Sequence, residues 1–423
     1  MSADPRFNGC DYLMLGFDHE LRRHGFAGNS CQIVLELGSA ISPDALRERL
    51  RKLLERYPVL SARPAGLFSP KWKLPRGNSR EPQVRVHRDE PGLRQRIVNE
   101  PLDTNAGEIV RFDLIELAEG RVQLVFTWVH ALMDAPAAEH FLALVGREDL
   151  PLSAAHSLTP CRVRLPLRER GRVAWKSLHQ FDRYCEAPPR SLGHRHHDAV
   201  PLLQYRVEKF SAEETARVRA NGVRHCGILG DAQYHASVAV MELHRLYQRL
   251  GNASPSYVLP VPVGLRPKGT IEPLFSNQVT MLMVQFLPEH LSSVADAVAA
   301  LKTQTGHAMR GGLIESSVML SEMFRFLPRP IYMAILKQGL RGEICSLFYG
   351  DTASVSPLLT TFLGASIADL THVAAVTPSP GVGVIFYHFH GVLRLTVLHL
   401  STVLSEAEAA GFAANLRSRL LEP

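Results

Sequence analysis

A histidine and an aspartate in the spacing His-x-x-x-Asp are the side chains of this sequence best suited to chemistry. They lie in the segment 128–136, WVHALMDAP. An imidazole titrates near neutral pH and can take a proton from a hydroxyl or an amine, so His130 is a candidate general base. Pro136 and an apolar run follow, which puts Asp134 near a helix N-terminus, where free N–H groups favour a carboxylate. The alternative is a core histidine bonded to backbone, with Asp134 as an ordinary helix cap.

The elements that must position this segment indicate a mixed α/β fold. Residues 121–129 (RVQLVFTWV) are nearly apolar on both faces, which is typical of a central strand, and 109–116 (IVRFDLIE) predict its hairpin partner. Residues 31–37 predict another strand. A helix follows with Ser42 as its N-cap, and Pro58 stops it.

The second half of the chain also predicts a mixture of helices and strands. Its pattern predicts helices at 231–249, 291–309 and 313–326 and from Ser405 onward, and strands at 256–264, 277–287, 370–376, 382–389 and 392–399. Hairpins mix with crossovers, so we predict mixed-sheet α/β layers and not a doubly wound parallel sheet. A segment rich in Pro, Gly and His, Ala187–Val200, predicts an exposed linker between domains at 1–186 and 201–423.

The His-x-x-x-Asp segment and four others resemble the coenzyme-A-dependent acyltransferase superfamily, which includes chloramphenicol acetyltransferase, condensation domains, wax ester synthases and polyketide-associated acyltransferases. These segments fall in the order of the family. They are 41–63 (ISPDALRERLRKLLERYPVLSAR), 259–266 (LPVPVGLR), 275–288 (FSNQVTMLMVQFLP) and 381–399 (GVGVIFYHFHGVLRLTVLH). The resemblance implies a pseudo-dimer of two chloramphenicol-acetyltransferase-like domains with a central tunnel.

Site roles follow from the same resemblance. His130 matches the catalytic histidine, and Asp134 matches a structural aspartate that pairs with an arginine, for which Arg266 stands in the family position. The implied substrate contacts are Asn277, Ala135 and Met283, with turn formation as the alternative for Asn277 and plain core packing for Met283. Residues 346–357 resemble the segment that crosses from one half to the sheet of the other.

Two residues depart from the family motif. Val129 stands where the family has a first histidine, and Ala135 stands where it has a glycine near the thioester arm. The leading hypothesis is an acyltransferase without a bound cofactor, in which coenzyme A or a phosphopantetheinyl carrier protein brings the acyl group to a small-molecule alcohol or amine. The two departures motivate the alternative, a degenerate condensation-like domain that binds a carrier protein or another partner.

Several other functions are disfavoured. There is no G-x-S-x-G elbow, P-loop, dinucleotide fingerprint or H-E-x-x-H motif. A net charge of +6, from 47 basic and 41 acidic residues, is too small to argue for nucleic acid but suits an anionic partner such as coenzyme A or an acidic carrier protein. The 6 cysteines lack metal spacing and read as free thiols. With neither a secretory signal nor a membrane span in the sequence, we expect a cytoplasmic protein.

The further histidines and serines are interpreted mainly as structural residues. His194, His196 and His197 are interpreted as solvated linker residues, with a metal cluster as the alternative. His388 and His390 are interpreted as strand residues, with a second base or a metal pair as the alternative, although no third metal ligand stands at a useful spacing. Serines at 354 and 356 read as loop caps, with an oxyanion contact as the alternative.

Overall fold

A computed structural model describes residues 4–68, 70–77, 79–152, 166–184, 186–228, 230–267 and 269–422. Of the cysteines, Cys161 and Cys185 lie outside the described residues. The other four, Cys10, Cys31, Cys226 and Cys345, are free thiols.

Strands and helices alternate through the described residues. The strands are β1 Ser30–Leu37, β2 Arg63–Ala65, β3 Lys71–Lys73, β4 Gln83–Arg88, β5 Val110–Glu116, β6 Val122–Val129, β7 Leu203–Lys209, β8 Tyr257–Gly264, β9 Val279–Phe286, β10 Phe348–Ser354, β11 Thr361–Phe362, β12 Ala365–Val373, β13 Val382–Phe389 and β14 Val392–Leu400. The helices are α1 Gly9–Arg23, α2 Pro43–Arg56, α3 Leu93–Val98, α4 Ala135–Gly146, α5 Leu167–Tyr184, α6 Ala212–Cys226, α7 Asp231–Arg249, α8 Val294–Gly311, α9 Leu313–Phe324, α10 Arg329–Gln338 and α11 Glu406–Leu421.

The first sheet holds the strand that carries the His-x-x-x-Asp segment. It has six strands in the order β11-β12-β1-β6-β5-β4, and β6 lies between β1 and β5, antiparallel to both. Every residue of β6 is buried, as expected for a central strand apolar on both faces. The predicted strands β1, β5 and β6 are therefore confirmed.

The first sheet also takes in strands from the second half of the chain. β12 pairs with β1, placing Leu370 opposite Leu35, and β11 extends the edge. The assignment of the crossing segment to 346–357 was wrong, because those residues contain β10, which pairs parallel with β13 in the second sheet. The strand that crosses from the second half into the first sheet is β12, which pairs with β1.

The second sheet has four strands in the order β10-β13-β14-β7, and β8 and β9 form a separate hairpin. Parallel pairs (β4 with β5, β10 with β13) occur beside antiparallel ones, so the predicted mixed α/β class is confirmed. Helices α6, α7 and α11 pack on one another next to this sheet. The apolar face of α11, with Phe412 and Leu416, belongs to the same hydrophobic core as strands β13 and β14.

Local capping explains where several of the helices begin. Ser42 and Ser405 accept hydrogen bonds from the backbone of Ala45 and Glu408, as their positions before apolar runs predict. At α1, which the sequence analysis did not predict, Asn8 and Asp11 form a reciprocal capping box.

The segment Ala187–Val200 lacks regular structure but is less exposed than a free linker. The backbone N–H of Ser191 donates to Glu343 (2.9 Å), and Arg195 pairs with Glu408 (2.9 Å). His196 also contacts Glu408, at 3.3 Å. The segment is thus held against the second half, and the division into two domains at this point stays a prediction.

Among the described residues, none of the helices combines the length and the apolar character needed to cross a membrane.

Candidate active site

His130 is fixed by its backbone at the end of β6. Its N–H donates to the carbonyl of Asn29 (3.0 Å), and its carbonyl accepts from the side-chain amide of Asn277 (2.9 Å). The flanking residues Val129 and Ala131 are 2% and 1% exposed, whereas His130 is only partly buried. The backbone of His130 is therefore fixed between two fully buried residues, and its role as the base stays a prediction.

Asp134 caps α4 and pairs with Arg266. Its Oδ1 accepts from the backbone N–H of Ala137 (3.2 Å), and its Oδ2 accepts from the N–H of Gln278 (2.9 Å) and from Arg266 Nη1 (2.5 Å). The side chains of Asp134 and Arg266 are 9% and 12% exposed. The ion pair expected from the sequence is present, and both carboxylate oxygens are occupied by these donors.

Arg266 is itself held by backbone carbonyls. Its Nε donates to Ile271 (3.0 Å), and its Nη2 donates to Pro273 (3.2 Å) and Ser276 (3.1 Å). The guanidinium thus joins the N-terminus of α4, through Asp134, to the loop that leads into β9. These two segments are far apart in the sequence. This arrangement is structural in character, because it fixes two segments behind His130.

Asn277 is buried, at 1% exposure, and its amide reaches both His130 and Asp11. Oδ1 of Asp11 accepts from the backbone N–H (2.7 Å) and from Nδ2 (2.9 Å) of Asn277. This geometry is neither a simple turn nor an open substrate contact. The assignment of Asn277 as substrate-binding stays a prediction, while its observed contacts orient the backbone of His130.

Asp11 is a site residue that the sequence analysis missed. It is 3% exposed, and its Oδ2 accepts from the backbone N–H of Asn8 (3.0 Å). Burial raises the pKa of Asp11 to about 7, although the hydrogen bonds from Asn277 and Asn8 oppose that rise. The only local signal is the Asn-x-x-Asp capping box; the contact with Asn277 spans 266 positions and leaves no periodic trace.

Cys31 is a second missed neighbour of His130. In the β1–β6 register Cys31 lies opposite Trp128, and His130 follows two residues later on the same face, so the thiol and the imidazole are diagonal neighbours. Burial lowers the pKa of His130, but the Cys31 side chain and the Asp134 carboxylate outweigh burial and raise the pKa to about 9. Nδ1 of His130 is buried and has no hydrogen-bond partner in the described part of the chain.

An apolar cavity of about 420 Å³ lies one layer away from His130. Asn29 connects the two, because its carbonyl accepts from His130 while its amide donates to the carbonyl of Met14, a wall residue (3.0 Å). The wall includes Met14, Phe17, Met281, Met283, Leu320 and Phe348. Met283 therefore lines a cavity, whereas His130, Asn277 and Ala135 are not part of its wall, and the tunnel stays a prediction.

The remaining candidates have structural contacts. His388 Nδ1 contacts the carbonyl of Ala353 (3.1 Å), and burial lowers the pKa of His388. His390 occupies the hairpin turn with φ of 49°. The Ser356 hydroxyl accepts from the N–H of Leu358, as a loop cap does. Within the described ranges, no group of three His, Cys, Asp or Glu side chains could hold a metal ion.

Comparisons with known proteins identify the fold. Neither a protein-family model nor a curated protein sequence matches the chain. Solved structures do. A trichothecene 15-O-acetyltransferase from Fusarium sporotrichioides matches with a TM-score of 0.72 at 13% identity, covering 98% of this chain and 95% of that one. The condensation domain of the monacolin K polyketide synthase matches with a TM-score of 0.67 at 14% identity, covering 100% and 97%.

A third match is the polyketide synthase associated protein 5 from Mycobacterium tuberculosis, with a TM-score of 0.62 at 15% identity over 99% of this chain and 97% of that one. At such identities the likeness is one of fold. It confirms that the whole described chain follows a condensation-domain and acetyltransferase architecture, as the sequence motifs predicted.

Proposed function

We propose that this chain, which has the fold of the coenzyme-A-dependent acyltransferase superfamily, transfers an acyl group from a thioester to a hydroxyl or an amine. The observation that carries the proposal is the fixed position of His130. Both backbone groups of this residue are tied to buried asparagines, and the Asp134–Arg266 pair braces the loop behind it.

The chemistry needs one base and good positioning, because a thioester is already activated. Neutral His130 removes the proton of the acceptor hydroxyl or amine. At the same time the oxygen or nitrogen of the acceptor bonds to the carbonyl carbon of the thioester. The C–S bond then breaks, and the proton passes from the imidazolium to the departing thiolate. The reaction therefore consumes no oxidant and needs no covalent enzyme intermediate.

The donor is coenzyme A or a phosphopantetheinyl carrier protein, used as a co-substrate and not as a bound cofactor. An apolar cavity of about 420 Å³ beside the site suits an apolar acyl chain or an apolar acceptor, since burial of such groups from water is favourable. We expect the wall residue Met283 to limit the length of the acyl chain that the cavity accepts.

A partner-binding module without catalysis is the second candidate. Its support is the pair of motif departures, Val129 and Ala135, together with the absence of His130 from the wall of the described apolar cavity. Such a module would bind a thioester or a carrier protein and release no thiol.

One experiment separates the two functions. A panel of acyl thioesters is incubated with candidate alcohols and amines, and the free thiol and the acylated product are measured by thiol reagent and mass spectrometry. We expect His130→Ala to lower single-turnover transfer by ~10²–10⁴-fold while thioester binding persists. The matched control is the pair His388→Ala/His390→Ala, which should keep the wild-type rate. A full rate in His130→Ala would contradict the proposed base.

A further inference from the structure

A second cavity lies on the first half of the molecule, between the β2–β3 hairpin and the loop that precedes β5. It has a volume of about 350 Å³. Its charged lining residues are all basic: Arg63, Lys73, Arg76 and Arg80. No acidic side chain among the described residues lines it, so the cavity concentrates positive charge in a concave site.

These positive charges are poorly compensated. Within the described chain, Arg63, Lys73 and Arg76 form no salt bridge, and Arg80 approaches only Glu108, at 3.7 Å. The nearby carboxylate of Asp4 is bound by Lys71, at 2.9 Å, which is the main cause that lowers the pKa of Asp4, while Arg76 adds only a smaller lowering of that pKa. Elsewhere on the same half, arginines such as Arg85 are directly paired with carboxylates. The missing counterion is what an anionic ligand would supply.

The hairpin register adds an independent argument. Arg63 lies directly opposite Lys73 in the β2–β3 pair. Like charges in directly opposed positions destabilise a strand pair unless something neutralises them. A bound anion between the two side chains would convert this repulsion into two favourable charge-assisted contacts.

The segments that line the cavity are packed closely around Ser61. Gly107 has φ of 79°, and a Cβ at this position would lie 2.8 Å from the carbonyl of Ser61. The Ser61 hydroxyl in turn accepts from the N–H of Arg80 at 2.7 Å. The loop that carries Gly107 and the segment that carries Arg80 are thus both fixed against Ser61, in the 3-10 turn that follows α2.

This cavity lies towards the end of β6 that leads into the candidate base. Gly107 precedes Ile109 by two residues, and the Ile109 carbonyl accepts from the N–H of Val129 (3.0 Å), the residue immediately before His130. A ligand bound here therefore lies towards the same end of β6 as His130.

We propose that this basic cavity, defined by Arg63, Lys73, Arg76 and Arg80, binds phosphate groups of a polyphosphorylated ligand. Its volume lies within the range of small-molecule pockets, ~300–1,000 Å³, so it has room for more than a single phosphate. Resting on the proposed function, the ligand is the phosphorylated end of the acyl donor, such as the nucleotide of coenzyme A. Binding of phosphate itself does not depend on that function.

The test is calorimetric titration of the whole chain with coenzyme A, dephospho-coenzyme A, adenosine 3′,5′-bisphosphate, pyrophosphate and pantetheine. We expect coenzyme A and adenosine 3′,5′-bisphosphate to bind, and dephospho-coenzyme A to bind more weakly. The affinity for pantetheine, which has no phosphate, should not depend on the cavity. Arg63→Gln/Lys73→Gln should weaken binding of adenosine 3′,5′-bisphosphate by about 100-fold, since each charged contact typically contributes a factor of about ten or more.

The matched control is Arg121→Gln/Arg219→Gln, which removes the same charge from two exposed arginines outside the cavity. Arg121 precedes β6, at the end of that strand opposite His130. This control should bind the bisphosphate within twofold of the wild type. Without ligand, the cavity variant should melt at or above the wild-type temperature, because the opposed charges are gone, which separates lost binding from misfolding.

Equal weakening in the cavity variant and the control would overturn the inference, as would wild-type binding of none of the phosphorylated probes. Binding of pyrophosphate and bisphosphate without any effect of the cavity variant on coenzyme A would overturn the assignment to the donor. His130→Ala should keep full probe binding. An inactive wild type that still binds the bisphosphate through Arg63 and Lys73 would refute the proposed function and leave this inference standing.

Discussion

Replacing Asp134 by alanine should damage the fold as much as the chemistry. The substitution removes an N-cap bond to Ala137, a bond to the Gln278 N–H and the partner of Arg266, whose side chain is only 12% exposed. A lost cap costs about 1 kcal/mol, and breaking a buried ion pair costs about 3–5 kcal/mol. These contacts overlap, so we expect the free energy of unfolding to fall by about 4 kcal/mol.

The corresponding shift in melting temperature follows from chain length. The unfolding entropy is ~2.1 cal/mol/K per residue, which gives ~0.9 kcal/mol/K for 423 residues unfolding together. A loss of about 4 kcal/mol then lowers the melting temperature by about 5 °C. Scanning calorimetry at neutral pH measures this shift, and urea titration measures the free energy itself.

The matched control is Asp149→Ala. Asp149 also pairs with an arginine, Arg147, at 2.5 Å, but it is 66% exposed. Water screens an exposed ion pair and leaves it little net contribution to stability, so this variant should melt within about 1 °C of the wild type. The double variant Asp134→Ala/Arg266→Met should be less damaged than the sum of its parts, because no buried charge is left unpaired. Asp134→Ala with an unchanged melting temperature and lost turnover would refute the structural role.

Three further predictions concern the base itself. Because His130 must be neutral to accept a proton and the pKa of its imidazole is raised to about 9, the single-turnover rate should increase with pH up to about 9 and then level off; a rate that falls between pH 7 and 9 would contradict this. Cys31→Ala removes an influence that raises the pKa of His130 and leaves burial, which lowers it, so the same pH–rate curve should move to lower pH, whereas Cys226→Ala should leave it in place. Asn277→Ala frees the His130 carbonyl and should reduce the rate constant of transfer by about 10- to 100-fold with little change in KM, and a change confined to KM would show that Asn277 binds substrate instead.

The sequence was informative where local pattern decides structure. The apolar faces of β6, the proline after Asp134 and the cap at Ser405 all act within a few residues, and the corresponding elements were predicted correctly. Pairing between distant strands leaves no such pattern. Residues 346–357 and 365–373 are both compatible with an extended strand, and only tertiary packing selects the second as the partner of β1.

The same limit explains why Asp11 and Cys31 were missed. A buried aspartate in the first turn of a helix looks like an ordinary cap, and a cysteine in an apolar strand looks like core. Their significance depends on what lies across the fold. Asp11 becomes part of the site only because Asn277 meets it from a position 266 residues away, and Cys31 only because β1 pairs with β6 in one register.

The short segment entering β9 joins the two parts of this site. Its backbone N–H groups at Asn277 and Gln278 donate to two different buried carboxylates, those of Asp11 and Asp134. Each carboxylate is anchored elsewhere, one on α1 and the other by Arg266, so a shift of the segment would disturb both. The side chain of Asn277 transmits that constraint to the carbonyl of His130. The orientation of the candidate base is therefore set by packing of α1 and β9 against the first sheet, and substitutions that loosen α1 should lower the rate of transfer without touching the imidazole.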